Sequence, residues 1–299
     1  MSFETTSGNR GLLQAEPLIF ETGHATGTGV DLPAPKGENR LGALTRKAAL
    51  DLPGLSEPET MRHFVRLSQK NYAIDLGLFP LGSCTMKHNP RLNERAARFE
   101  GFADLHPLQP TSTIQGALAL MDELAHWLCT LTGMPAVALS PKAGAHGAGM
   151  LAIKAALEAK GEGHRKRVLV PSSAHGTNPA TAAAAGFTVD EIPARDDGRV
   201  HLDDVKAKLG PDVAAIMITN PNTCGLFEPE IKNIADAIHA AGAYFYCDGA
   251  NYNAIVGKVR PGDLGVDAMH INLHKTFSTP HACGGPAAGA IGATKELEP

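Results

Sequence analysis

The chain has 299 residues, of which 43% are hydrophobic and 19% charged, with a formal net charge of -4. That composition is globular and large enough for one big domain or two small ones. The longest basic run, "HRKR" (164–167), is too short to mark a nucleic-acid surface, so no nucleic-acid partner is expected. No apolar run reaches the roughly 18 residues of a spanning helix, and no membrane partner is expected. The start, "MSFETTSGNR", has neither the basic nor the apolar region of a secretory signal. Five cysteines (84, 129, 224, 247 and 283) are widely spaced and form no C-x-x-C pair, which points to reduced thiols in a cytoplasmic protein.

Residues 1–55 are rich in Gly, Pro and Thr ("ETGHATGTGVDLPAPKGENR") and carry no sustained period, so they are either disordered or, the reading taken, an arm laid over another surface. A segment of helix and loop, 56–110, follows. It opens at Ser56 with Glu59 three residues on, a capping box. Within it "NYAIDLGLFPLGSCTMKHNPRLNE" (71–94) interleaves Leu, Phe, Cys and Met with Ser, Thr, Lys and His, the composition of a loop that folds into a site. From 111 to 299 the pattern becomes regular. Ser112 and Gln115 suggest a second capping box, and Ile114, Ala117, Leu118, Met121, Leu124, Ala125 and Leu128 recur at helical spacing until Gly133. Short apolar runs then alternate with helices: "AVALS" (136–140), a helix to about Ala159, "RVLV" (167–170), a short helix opening at Asn178-Pro179, and "FTVDEI" (187–192). "VAAIMIT" (213–219) precedes a helix carrying Ile231, Ile234, Ala235 and Ile238, and "AYFYC" (243–247) and "AMHINL" (268–273) close the series. Strands alternating with helices of this length predict an α/β fold with a mainly parallel sheet covered on both faces. Ligands on such a sheet lie beyond the carboxyl ends of the strands.

Five strand ends carry candidate chemistry. "SPKAGAHGAGM" (140–150) joins a strand to a helix through small residues, where free N–H groups can hold a phosphate. "PSSAHGTNPA" (171–180) places His175 where a flat side chain could cover a bound ring. "TNPNTCG" (219–225) brings Asn220 and Asn222, which in most proteins only form turns. Asp248 closes the apolar run "AYFYC", where a carboxylate is costly to bury unless a cation or donors meet it. Lys275 stands in "INLHKTFSTPH" (271–281), read as the end of a buried strand, between His274 and the hydroxyls of Thr276 and Ser278. An amine, an acid and a phosphate turn on one parallel sheet are what pyridoxal 5'-phosphate requires: a Schiff-base lysine, a carboxylate for the pyridine nitrogen and a helix N-terminus.

These residues, taken with "NYAIDLGLFPLGSCTMKHNPRLNE", "KAGAHGAGM", "SSAHGTNPATA", "TNPNTCGLFE", "YCDGANYNAI" and "NLHKTFSTPH", resemble the P-protein of the glycine cleavage system, glycine dehydrogenase (decarboxylating), and within it the second subunit of the two-subunit form. The resemblance covers most of residues 60–299. It implies the large domain of a fold-type I pyridoxal phosphate transferase. It makes Lys275 the Schiff-base lysine, Asp248 the partner of the ring nitrogen and His175 the stacking residue, with Ala145 and His146 in the phosphate turn. Asn220, Ala250 and His274 complete the cofactor side, and Ser83, Cys84, Thr85 and His88 are candidates for the substrate carboxylate or a lipoyl channel. The implied reaction decarboxylates glycine and transfers its aminomethyl group to the lipoyl arm of the H-protein. The implied partners are the other P-protein subunit, in a heterotetramer, and functionally the T- and L-proteins.

Two departures stand out. The family's glycine run after the lysine reads "HACGGPAAG" here, with Ala282 and Cys283 in place of glycines. If those positions need φ > 0, each substitution strains the backbone by about 1 kcal/mol or more. The family also continues past the position of Pro299 into a smaller domain, so a C-terminally truncated chain is expected. Another fold-type I enzyme would share Lys275, Asp248 and His175 but not "PLGSCTMKHNPR", and a non-catalytic partner subunit would not need Lys275. A metal hydrolase is set aside because His270 and His274, four apart on a strand, would lie about 13 Å from each other.

Overall fold

The computed structural model describes residues 15–24, 26–33, 36–37, 39–48, 50–71, 73–77, 79–81, 84–86, 88–141, 146–280 and 288–298, with the backbone alone for 79–81 and 84–86. The chain divides into two compact units, residues 1–76 and 77–299. In the first unit, α1 (Ile19–Thr22) and α2 (Glu57–Gln69) are the α-helices among the described residues. The expected cap forms at α2: the Glu59 carboxylate accepts from the Ser56 backbone N–H at 2.8 Å and from its hydroxyl at 2.7 Å. The segment before α1 is tied to the same helix. Glu16 is almost enclosed and accepts from both His63 and the Arg66 guanidinium.

The second unit opens with a small antiparallel hairpin, β1 (Phe79–Leu81) and β2 (Cys84–Met86), which periodicity did not signal. Two short helices follow, α3 (Arg91–Ala97) and α4 (Glu100–Ala103), and then the long α5 (Gln115–Thr132). Gly133 ends α5 as expected, in the left-handed region at φ 69 with its N–H on the Cys129 carbonyl. The second capping box does not form. Residues 111–113 make a 3-10 turn, Ile114 precedes the helix, and Gln115 donates to the Thr111 carbonyl.

The rest alternates strand and helix: β3 (Ala136–Ala138), α6 (His146–Ala159), β4 (Arg167–Pro171), α7 (Thr177–Ala184), β5 (Thr188–Ile192), α8 (Leu202–Lys208), β6 (Val213–Thr219), α9 (Ile231–Ala240), β7 (Tyr244–Gly249), β8 (Ala268–Asn272), α10 (Leu273–Thr276) and β9 (Gly289–Ala293), as the sequence predicts except for α8, α10 and β9, which it did not signal. Among the described residues the sheet runs β3-β9-β8-β7-β6-β4-β5. The five strands from β8 to β5 are parallel, and β9 is antiparallel to both β8 and β3. This is the mainly parallel α/β sheet that the alternation of strands and helices predicts.

Alternation along each strand sorts the core into two layers. Ile216, Ile218, Phe245, Cys247, Met269 and Ile271 pack with α5, α8 and α9. Ala215, Met217, Tyr244, Tyr246 and Ala268 face the other way, toward Met150, Ile153 and Leu157 of α6 and Ala182 of α7. Each fully buried side chain of this size contributes about 1.5–3 kcal/mol, so both faces are strongly specified. α6 lies unusually close to β7: a Cβ built on Gly149 would stand 2.5 Å from Tyr246 Cε2. That closeness brings the start of α6 down onto the carboxyl end of β7.

Candidate active site

Asp248 is the next-to-last residue of β7 and is 2% exposed. Alternation points it to the α6 face, the same face as Tyr246 two residues earlier. Its Oδ1 accepts the Ala250 N–H at 2.9 Å, and its Oδ2 accepts the Thr219 hydroxyl at 3.3 Å from the cross-strand position on β6. These two donors answer the question that a carboxylate at the end of an apolar strand raises. They leave the carboxylate held but not saturated, since an ionised carboxylate accepts about four hydrogen bonds.

Lys275 does not end a strand as expected. β8 stops at Asn272, and Lys275 sits in the one-turn helix α10 that follows. The turn rotates the chain out of the sheet, so the amine is half-buried at the carboxyl edge of the strand next to Asp248. Its neighbour His274 is buried, with Nδ1 3.1 Å from the Ala288 carbonyl. Downstream, Ser278 adopts φ 58, a left-handed conformation that costs a non-glycine residue about 1 kcal/mol or more. Asn93 Nδ2 donates to the Ser278 carbonyl at 2.8 Å and anchors that conformation. Asn93 comes from "MKHNPRLNE", so the loop motif does reach the segment carrying the lysine.

His175 lies in the turn between β4 and α7, exposed, with its Nδ1 accepting the Thr177 N–H at 3.2 Å. Asn220 is buried beyond β6; its Oδ1 accepts the Glu228 N–H at 3.0 Å, while its Nδ2 has no hydrogen-bond partner among the described residues. Ala250 contributes the backbone N–H to Asp248. His88 is exposed beyond the β1–β2 hairpin. Cys84 and Thr85 are placed as backbone in β2, and Ser83, Ala145, Ala282 and Cys283 lie outside the described residues. Cys129, Cys224 and Cys247 are free thiols.

His146 opens α6, and its imidazole turns down onto the sheet. It is buried, with Nδ1 3.1 Å from the Tyr246 hydroxyl and Nε2 3.7 Å from Asp248 Oδ1. His270, the cross-strand partner of Asp248 on β8, stacks against it at 4.0 Å between ring centroids. Burial lowers the His146 pKa; Asp248 opposes this, and the charges of His175 and Lys275 add to it. His146 is thus the point where the fields of acid, amine and stacking candidate converge. His270 is held well below the ordinary imidazole range, first by burial, then by His146, Lys275 and His274.

Periodicity missed Tyr246 and His270 because both read as ordinary strand residues. The available signal was the i, i+2 pairing of Tyr246 with Asp248 and of His270 with Asn272, which sets four polar groups on one face of two strands. The histidine that matters for a metal reading is also different from the one considered in the sequence. His146, Asp248 and His270 offer ligand atoms within 4.8 Å of one another, whereas His274 leaves the strand in α10.

The fit to pyridoxal phosphate rests on the donor set. A carboxylate with accepting capacity to spare, an amine leaving the adjacent strand, an exposed flat imidazole on the next loop and an unsatisfied buried amide at Asn220 stand along one edge of the sheet. These groups match the cofactor's ring nitrogen, carbonyl and ring face.

The fold and much of the sequence have counterparts. A model of the aminotransferase class-V family matches residues 142–283. A protein of Caulobacter vibrioides described as "probable glycine dehydrogenase (decarboxylating) subunit 2" is 70% identical over 99% of this chain and 57% of its own length. The protein of the same description from Thermotoga maritima is 55% identical over 84% of this chain and 53% of its own. Among solved structures, glycine decarboxylase (P-protein) of the glycine cleavage system, in inhibitor-bound form, superposes with a TM-score of 0.68 at 24% identity, over 86% of this chain and 56% of that one. A tryptamine-bound Oryza sativa TDC with PLP superposes at 0.60 and 15% identity, over 86% of this chain and 57% of that one; both structural likenesses speak to fold. The chain spans somewhat more than half the length of the curated relatives it matches. Over nearly all of its 299 residues the chain is homologous to glycine dehydrogenase (decarboxylating) subunit 2.

Proposed function

We propose that this chain carries the pyridoxal phosphate site of a glycine-decarboxylating P-protein and hands the aminomethyl group to the lipoyl arm of an H-protein. The observation that carries the reading is the placement of Lys275 and Asp248 at the carboxyl edges of neighbouring strands, in a chain 70% identical to a glycine dehydrogenase subunit. Bound at this edge, the cofactor would supply an electron sink for the pair left when CO2 departs.

The chain's own residues would do the rest. Lys275 Nζ would be the amine that holds the cofactor and gives it up to the glycine amine. Asp248 would favour a proton on the ring nitrogen, and His175 would cover one face of the ring and shield it from water. Asn220 Nδ2 offers a free donor on the adjoining loop. In the net reaction the glycine C–C bond breaks and releases CO2. The former α-carbon then bonds to one lipoyl sulfur while the S–S bond breaks, and the other sulfur leaves as a thiol. The disulfide is the oxidant, and no other is needed.

A lipoyl arm needs a passage to this edge. The segment from β1 to α3, tied to the lysine loop through Asn93, supports a role for Ser83, Cys84, Thr85 and His88 along it. The phosphate would sit at the start of α6, with Ala145 next to it in sequence and His274 and Ala250 on the cofactor side. The Gly/Pro-rich residues 1–55 are proposed to strap onto a companion P-protein subunit, in a heterotetramer that works with the T- and L-proteins. No described helix is long and apolar enough to cross a membrane, in keeping with a cytoplasmic assembly.

The test is direct. The protein is loaded with pyridoxal phosphate, reduced with borohydride and digested, and the labelled peptide is mapped. Label on Lys275 is expected; label on another lysine would move the active centre elsewhere. Adding the companion subunit and lipoylated H-protein should then allow glycine's carboxyl carbon to exchange with bicarbonate. Label on Lys275 without any exchange would point to another fold-type I reaction.

A further inference from the structure

Tyr246, His146 and His270 gather around Asp248 on the α6 face of the sheet, and beyond the phosphate turn that the resemblance implied for His146 none has yet been given a task. Tyr246 is fully buried on the same face of β7 as Asp248, and its hydroxyl is 3.1 Å from His146 Nδ1. His146 Nε2 is 3.7 Å from Asp248 Oδ1. His270 packs against the His146 ring, and its own Nε2 is 2.8 Å from Asn272 Oδ1.

The direction of these contacts follows by elimination. Burial keeps His146 neutral, so the ring has one proton to place. If Nδ1 held it, the phenol oxygen would accept, and Nε2 would turn a lone pair toward Asp248 Oδ1. Two acceptors would then face each other in a dry interior, which makes this the costlier of the two arrangements. If the phenol donates to Nδ1, the proton sits on Nε2 and faces the carboxylate. Burial raises the Tyr246 pKa well above its ordinary value, with Asp248 adding to the effect, so the phenol keeps the proton it must donate. Neutrality has a use here. An imidazolium would form a full ion pair with Asp248 and compete with a protonated ring nitrogen for its charge. A neutral N–H orients the carboxylate and leaves that charge for the cofactor.

We infer that His146 is a positioning residue for Asp248: Tyr246 fixes the imidazole as the Nε2–H tautomer, and that proton aims the carboxylate at the ring nitrogen of the bound cofactor. The inference rests on the pyridoxal phosphate reading for its purpose but not for its geometry.

Two measurements separate the two. The 299-residue protein, labelled with 15N-histidine and free of cofactor, should show His146 as a neutral Nε2–H tautomer near pH 7, and Tyr246→Phe should convert it to a mixture of tautomers. An Nδ1–H tautomer or an imidazolium in the parent protein overturns the inference whatever the enzyme does. The second measurement is absorbance titration with pyridoxal phosphate. Failure of the parent protein to bind would count against the functional reading alone, because the tautomer is read without cofactor. Given binding, His146→Gln, whose side-chain NH2 reaches the place of Nε2, should keep affinity within about threefold. His146→Asn, whose NH2 reaches only the place of Nδ1, should weaken it by about tenfold, the loss of the N–H that faces the carboxylate at 3.7 Å. A merely structural histidine would make the two substitutions equally harmful, and that result would also overturn the inference.

Discussion

Gly249→Ala tests whether the junction of β7 and β8 is as tight as the site requires. A Cβ built on Gly249 would lie 2.0 Å from the His270 carbonyl oxygen, 3.2 Å from its carbonyl carbon and 2.6 Å from Met269 Cε. The methionine tip can swing away at little cost, because its chain is unbranched. The carbonyl belongs to β8 itself and can move only if the strand moves. Reaching ordinary contact, about 3.4 Å, requires more than an ångström of strand separation, in a core packed like an organic crystal. Overpacking of this kind costs about 3 kcal/mol. For a domain of this size that lowers the urea midpoint by about 1 M. Gly116→Ala on α5 is the control. Nothing stands within 4 Å of its added Cβ, so the helix should gain up to about 1 kcal/mol. Because Asp248 precedes Gly249 and pairs with His270 across the strands, Gly249→Ala should also weaken pyridoxal phosphate binding, while Gly116→Ala should not. If Gly249→Ala unfolds within about 0.5 kcal/mol of the parent protein, the β7–β8 approach has been misjudged and the placement of Asp248 with it.

Asp248→Asn keeps the shape of the side chain and its acceptance from Ala250 but removes the charge; glycine–bicarbonate exchange should drop by two or more orders of magnitude while the melting temperature stays level or rises, and near-parental exchange would remove Asp248 from the mechanism. Glu16 has its carboxyl pKa lowered from the ordinary 4.5, first by the Arg66 hydrogen bond and then by His63. A depressed carboxyl stabilises the fold above its unfolded pKa and loses that contribution as pH falls through the folded one. The first unit should therefore loosen in acid, seen as faster amide exchange in α2 below about pH 4.5, and Glu16→Gln should abolish the pH dependence. An unchanged acid slope in that variant would assign the transition to other groups.

Much of the second unit was legible from the order of residues. Periodicity of two and 3.6 placed β4 to β8 within a residue or two, with α7 and the apolar stripe of α9 between them, because both faces of a covered parallel sheet must be apolar and each helix must bury a stripe; the seven-residue α8, with Val205 as its buried residue, gave too short a pattern to be read. Lys275 and Asp248 were legible for the opposite reason: a charge inside or beside an apolar run is costly and therefore conspicuous. β9 was not. Its residues, "GAIGA" (289–293), carry no strand signature, and they form a strand because β8 and β3 offer free edges and close packing against Met134 favours glycine at 292. The capping box at Ser112 failed because a 3-10 turn took the same residues. The one-turn helix under Lys275 is a tertiary decision too, since nothing local distinguishes "NLHKTF" from a continuing strand. Sequence order thus determined which residues could react, through their chemistry and their distance from apolar runs. Which groups meet depends on strand neighbours and registers set by contacts across about 100 positions, such as that of His146 with Tyr246, and no local pattern encodes those. The set of Tyr246, His146, Asp248 and His270 exists only once α6 crosses β7 at Gly149 and β8 lies beside it.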